Sequence, residues 1–195
     1  MHDLSKTNYA AGKSSLVAWM VSHCDTHSKR ENYVKELEGK NVKIDTYGSC
    51  GNLQCARDDR NWVSNPICYD MLESKYKFYL SFENSRCQDY VTEKFFNILQ
   101  HKMVPIVFGG ANYAEIAPPH SYINALDFTP EGLADYLKIL DANDTLYNEY
   151  FWWKDHYELE SGEYQMVRHA FCDLCLKLHQ DKQVKIYEDL VPDWH

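Results

Sequence analysis

The sequence predicts a doubly wound α/β domain, a parallel sheet with helices on both faces. Three observations lead there. Short apolar runs of strand length alternate with longer segments of helical periodicity. The connections between them carry Gly, Pro, Asn and Asp, residues that end such elements. One stretch, residues 76–100 (YKFYLSFENSRCQDYVTEKFFNILQ), passes from aromatic strand through polar loop to amphipathic helix, as a strand–helix unit of a parallel sheet does.

Residues 1–14 are polar and mixed and read as a tail or linker. The first strand covers 15–21, a polar loop follows over 22–28, and a helix over 29–38 stops at Gly39. Val42, Ile44 and Thr46 alternate with Lys43 and Asp45, marking a second strand over 41–47. Residues 48–65 are loop, with Cys50, Cys55 and the charged run Arg57-Asp58-Asp59-Arg60. Pro66 opens a short helix to about residue 73. The run 76–82, free of Gly and Pro, is the central buried strand. Asp89 is the expected N-cap of a helix over 90–100. On it Tyr90, Glu93, Lys94 and Asn97 share one face, while Val91, Phe95, Ile98 and Leu99 face the core.

Strand 104–108 ends at Gly109-Gly110, which allow close backbone approach to a ligand or make a plain turn. Pro118-Pro119 marks a loop and 122–126 a short strand. Thr129 caps a helix with Pro130 in its first turn, running to about residue 140. Residues 143–154 and 163–180 read as helices, the latter with Phe171, Leu174 and Leu178 as an apolar stripe.

In open parallel sheets, ligands bind beyond the carboxyl ends of the strands. Loops 22–28, 83–88 and 109–113 should therefore border one crevice. The free amides of the helix after residue 89, with Lys94 one turn in, favour a phosphate. A Glu-Lys pair on a helix is by itself usually only solvated surface. The net charge of −9 argues against a nucleic-acid partner or an anionic membrane surface. An anionic ligand would need locally concentrated positive charge.

Seven cysteines (24, 50, 55, 68, 87, 172 and 175) fit an oxidising compartment, as does the glycosylation sequon Asn143-Asp144-Thr145. No secretory signal stands at Met1, and the apolar run 16–21 is far too short to span a bilayer. A luminal protein lacking its N-terminus is the simplest expectation. Cys172 and Cys175 form a lone C-x2-C without a second pair to complete a zinc site, and they do not open a helix after a strand as a redox pair does.

The string ENS, three residues, then DYVTEKFF resembles the signature of the α1,3-fucosyltransferases that use GDP-fucose. Glu83, Asn84, Ser85, Asp89, Tyr90, Val91, Thr92, Glu93 and Lys94 all match it. The resemblance runs from about residue 11 to the last helix and is strongest over 76–110. KIDTYGSCGNLQC and NEYFWWK look most like invertebrate enzymes that fucosylate the innermost N-acetylglucosamine (GlcNAc) of N-glycans, with Lewis-type acceptors as the alternative.

The resemblance implies the C-terminal, donor-binding half of a GT-B glycosyltransferase. On that basis a Rossmann-like domain spans 15–160. A helix over 161–182 packs back on it or toward an N-terminal domain missing here, and 183–195 is a tail. Lys94 and Arg30 would grip the diphosphate and stabilise the leaving group. Glu93 would accept hydrogen bonds from ribose or fucose hydroxyls, Tyr90 would pack on or bond to the donor, and Glu83, Asn84 and Ser85 would bond to phosphate or sugar. The implied chemistry is an inverting displacement. Its carboxylate base lies in the N-terminal domain, so none is assigned in this chain.

No D-x-D triplet occurs, a motif common in metal-dependent sugar-nucleotide transferases, so neither metal nor other cofactor is expected. His23 departs from the Asn that members commonly show after this loop's Ser. Cys50, Cys55, Cys68, Cys87, Cys172 and Cys175 are disulfide candidates, the last two toward the N-terminal domain, and Asn143 is a glycosylation candidate. The expected setting is the Golgi lumen, in a type II membrane protein anchored by an N-terminal segment outside this chain, with N-glycans as acceptors. Two other readings compete: a donor-binding module that binds GDP-fucose without transfer, and a cytosolic thiol-rich binding protein.

Overall fold

Five short strands, β1 (Ser15–Met20), β2 (Ile44–Tyr47), β3 (Tyr76–Phe82), β4 (Val104–Phe108) and β5 (Ile123–Asn124), pair in the order β2-β1-β3-β4-β5. Every pairing is parallel. The structure is a computed structural model that describes residues 7–55, 66–159 and 163–180. The charged run at 57–60 and the tail at 183–195 lie outside them. Parallel strands need crossover connections, and helices supply them. These are α1 (Arg30–Gly39), α2 (Pro66–Lys75), α3 (Glu93–Gln100), the short α4 (Tyr113–Ile116), α5 (Pro130–Ala142), α6 (Asp144–Asn148) and α7 (Glu163–Gln180).

β3 is the middle strand, and all seven of its residues are buried. Its aromatic composition follows: a strand covered on both faces reads as a continuous apolar run. Phe78, Leu80 and Phe82 pack with Val17, Trp19, Ile106 and Phe108 under Val34 and Leu37 of α1 and Leu133 and Leu137 of α5. On the other face Tyr79 packs with Leu72 of α2 and Ile98 of α3. A third cluster joins Phe95, Leu99, Val107, Tyr113 and Trp153. The chain turns to opposite sides of β1 in reaching β2 and β3, so the strand order reverses between β1 and β3 and opens a crevice there.

Several expectations need correction. The helix after β3 begins at Glu93, with Thr92 as its N-cap. Asp89 instead has φ 59 and helps close a turn, so Tyr90 and Val91 precede the helix. Residues 8–14 are no tail: Ala10 is buried, Tyr9 stacks on Phe151 at 4.3 Å, and its N–H donates to Asn148 at 2.9 Å. The strand expected over 122–126 is two residues followed by a 3-10 turn, Ala125–Asp127. The helix expected over 143–154 is α6 followed by a 3-10 stretch, Glu149–Asp155. Phe171, Leu174 and Leu178 of α7 are about half to two-thirds exposed, so the expected stripe is not buried in a core. Among the described residues no helix is long and apolar enough to cross a membrane.

Candidate functional site

The loops after β1, β3 and β4 meet at the carboxyl edge of the sheet. Ser28 N–H donates to Asn84 O at 3.0 Å and Glu83 N–H to Phe108 O at 3.0 Å, while the Ser28 hydroxyl donates to Glu83 O at 2.8 Å. A side chain at Gly110 would lie 2.5 Å from Arg86 O and 2.7 Å from Cys87 O. That glycine is where the β3–α3 loop crosses the end of β4. At Gly109 the group that approaches is the hydroxyl of Tyr113, a protein side chain.

A cleft of about 250 Å³ between the first two loops is lined by His23, Asp25, Thr26, His27, Lys29, Asn84 and Ser85. Asn84 and Ser85 therefore border it as expected. Lys29 also borders it, paired with Asp25 at 2.7 Å.

Arg30 lies beneath the cleft. Lys29 takes a left-handed conformation as N-cap of α1, and Arg30 then turns inward until only 3% of it is exposed. Its guanidinium donates to Phe82 O and, at 3.2 Å, to His23 O, and it lies 5.7 Å over the Trp19 ring. Its Nε has no hydrogen-bond partner. Burial lowers its proton affinity, and Glu83 and then Glu31 oppose that fall. Tyr90, half-buried, acts on Arg30 in the same sense as these carboxylates. The departure at residue 23 leaves this bond intact, because Arg30 uses the backbone carbonyl of His23.

At the same edge of the sheet, Lys94 stands in the first turn of α3. Its ammonium donates to the Thr92 hydroxyl at 2.9 Å, contacts Glu93 at 3.2 Å and Glu83 at 3.5 Å, and is partly exposed. Burial pushes the Glu93 carboxyl up, but the charge and hydrogen bond of Lys94 together hold it below the usual carboxylate range. Glu93 and Lys94 thus stand together as the sequence predicts. Asn97 does not join them: its side-chain nitrogen is buried and has no hydrogen-bond partner among the described residues. Glu83 is fully buried and faces Thr92.

The free amides of α3 and Lys94 lie at the same edge of the sheet as the donors of the first loop. Such an edge suits a diphosphate. Sequence reasoning missed Arg86, whose guanidinium lies 5.5 Å over Phe108 at the same edge. An arginine inside the E-N-S-x3-D loop was the available signal.

The cysteines divide by location. Cys24 bonds to Cys50 and Cys55 to Cys68. Cys24, absent from the six candidates, thus ties the cleft loop to the loop after β2. Cys87 is a free thiol rather than a disulfide partner, and Cys172 and Cys175, whose expected partners belong to the N-terminal domain, are free thiols too. Asn143 is exposed and its side-chain oxygen caps α6 from Leu146 N–H at 3.2 Å. Among the described residues the one group of side chains close enough to share a metal is Asp70, Glu73 and His101. It belongs to the opposite edge of the sheet, where α2 leads into β3 and α3 ends before β4.

Residues 10–194 match the C-terminal region of glycosyltransferase family 10 (fucosyltransferase). Alpha-(1,3)-fucosyltransferase C of Drosophila melanogaster is 45% identical over 94% of this chain and 41% of its own length. Glycoprotein 3-alpha-L-fucosyltransferase A of the same organism is 42% identical over 96% of this chain and 36% of its own length. This chain therefore spans less than half the length of these relatives. A crystal structure of an α1,3-fucosyltransferase with GDP-fucose shares the fold, with a TM-score of 0.58 and 21% identity over 94% of this chain and 52% of that one. With the matched family region covering nearly the whole sequence, this chain belongs to the family 10 fucosyltransferases.

Proposed function

We propose that this chain forms the donor-binding part of an α1,3-fucosyltransferase that transfers L-fucose from GDP-fucose to the core GlcNAc of N-glycans, with inversion at the anomeric carbon. One observation carries the reading. Lys94 and Glu93 stand side by side at the start of α3, the helix that follows β3 where the strand order reverses. The similarity to glycoprotein 3-alpha-L-fucosyltransferase A supports a glycoprotein acceptor.

In the displacement, the acceptor oxygen attacks the anomeric carbon of fucose, and the bond from that carbon to the β-phosphate oxygen breaks. Its electron pair leaves with GDP. Lys94, the α3 amides and Arg30, once it exchanges a backbone carbonyl for phosphate, stabilise that charge. The acceptor proton passes to a carboxylate base that we assign to no residue of this chain. Asn84, Ser85, Tyr90 and Glu93 hold sugar and phosphate oxygens. Two disulfides support a place in an oxidising compartment, which we take to be the Golgi lumen, and Asn143 is open there to glycosylation.

Calorimetric titration with GDP-fucose, GDP, UDP and guanosine tests the donor assignment. GDP and GDP-fucose should bind and UDP should not, and EDTA should leave the affinities unchanged. Equal binding of UDP and GDP would refute it. Transfer to a core N-glycan then separates an enzyme from a module that binds the donor alone.

A further inference from the structure

The carboxylate of Glu83 has no exposed surface, yet the structure places it at the start of α3. It accepts the Thr92 backbone N–H at 2.8 Å and faces the Thr92 hydroxyl at 2.8 and 3.0 Å. That hydroxyl in turn accepts from the Lys94 ammonium at 2.9 Å. The ammonium is also 3.5 Å from Glu83 itself. A chain thus runs from a buried charge, through one threonine, to the cation at the crevice. Burying a carboxylate is costly without partners. Here its partners are the N-terminus of α3, the threonine that caps it, and the lysine one step beyond.

The same carboxylate lies close enough to Arg30 to offset part of what burial does to that guanidinium, and Glu83 O accepts from Ser28 in the first loop. Glu83 is therefore the one anion shared by both cations assigned to the phosphates. Two cations brought to one ligand repel each other, and the negative charge of Glu83, which bears on both, offsets part of that repulsion.

We propose that Glu83 is a positioning residue: through Thr92 it sets the N-terminus of α3 and holds the Lys94 ammonium, with Arg30, assembled for a diphosphate before the donor arrives. The proposal rests on the donor-site reading above. It separates Glu83 from Asn84 and Ser85, its neighbours in the motif, which line the cleft itself.

The relay through the Thr92 hydroxyl makes this testable without touching the buried charge. In Thr92→Val the backbone N–H still reaches Glu83, but the bridge to Lys94 is gone. Thr92→Ser restores the hydroxyl. Glu83→Gln keeps an acceptor for the Thr92 N–H and removes the charge. GDP and guanosine dissociation constants are measured for each, with circular dichroism to confirm folding. Thr92→Val and Glu83→Gln should each weaken GDP at least tenfold and change guanosine less than twofold, with Thr92→Ser within threefold of wild type.

A role confined to helix stability would move GDP and guanosine together, and would overturn the proposal. So would GDP binding by Thr92→Val within twofold of wild type, a result that also stands if Glu83→Gln fails to fold. If the unaltered chain binds GDP no better than guanosine, the diphosphate reading itself falls, which these controls distinguish from failure of the Glu83 relay alone.

Discussion

At the scale of single residues, the crevice depends on side chains whose neighbours decide what they can do. Lys94 is partly exposed and its other contacts are two carboxylates and a hydroxyl. A phosphate can take over those contacts without moving the backbone. Lys94→Ala should weaken GDP by about 1.5–3 kcal/mol, the range for a charge-assisted hydrogen bond, and leave guanosine unchanged; isothermal titration of both ligands checks it. Arg30 differs because it also holds Phe82 O and His23 O, so its loss would cost stability as well as affinity. Gly109 offers a sharper case. A Cβ there would collide with the Tyr113 hydroxyl, whose ring is locked 5.2 Å from Phe95 and 5.5 Å from Tyr122. That hydroxyl is buried and has no hydrogen-bond partner. Gly109→Ala should therefore destabilise by about 1–3 kcal/mol through overpacking. Tyr113→Phe should be nearly neutral, and the double variant should recover most of the loss. Additive urea-unfolding energies in that cycle would refute the contact.

At the scale of elements, the sequence located the strand–loop–helix at 76–100 but misjudged where the helix starts. Asp89 is a good cap by residue type, yet it occupies a left-handed turn. Thr92, a weaker cap, takes the role because buried Glu83 binds its N–H. That partner lies nine residues away, and local rules cannot see it. The cysteine pairs were illegible for a similar reason, since spacing alone leaves connectivity open. Two lysines show how helix ends are held on the opposite edge. Lys13 donates to Glu73 O at 2.5 Å and Tyr76 O at 2.7 Å, at the end of α2. Lys154 donates to Leu99 O at 2.6 Å, at the end of α3. Burial pulls both from 10.5 down to about 8, with Glu73 opposing. The unfolded chain thus holds protons that the folded chain has released between about pH 8 and about pH 10, so these groups make stability rise with pH there. Above about pH 10 tyrosines act the other way: partial burial holds Tyr33 up to about 12, so the unfolded chain ionises first and stability falls. The urea midpoint should therefore rise from pH 7.5 to pH 9.5 by more in the natural chain than in Lys13→Met/Lys154→Met. Comparing the two proteins removes the general effect of rising negative charge, and equal slopes would refute the assignment.

At the scale of the whole molecule, alternation of strands and helices was enough to anticipate a parallel sheet and to bring three loops to one edge of it, of which the first two line the cleft. The part played by residues 8–14 was not legible. Its anchors, Phe151 and Asn148, lie some 140 positions away in sequence, the separations being 139 for Tyr9 to Asn148 and 140 for Asn8 to Asn148. What the 195-residue polypeptide does alone follows from how the crevice is built. Its cations, helix amides and polar loop residues are those proposed for donor binding, and they close on one another through contacts within the chain. Glu83 is held by Thr92, and the charge and hydrogen bond of Lys94 lower the proton affinity of Glu93, which weakens both as bases for an acceptor hydroxyl. The matching region is 41% of the Drosophila fucosyltransferase C. Holding an acceptor against the anomeric carbon can be worth about 7–11 kcal/mol, and no carboxylate of the described crevice is assigned to it. The polypeptide assayed by itself should therefore bind GDP-fucose while transferring fucose to a core N-glycan at under about a thousandth of the rate of a full-length relative, since even 4 kcal/mol of lost positioning is about a thousandfold. Mass spectrometry of the glycan after incubation reads this directly. Turnover comparable to the relative's would place the base within these residues, with Asp25 at the mouth of the cleft the first to replace by Asn.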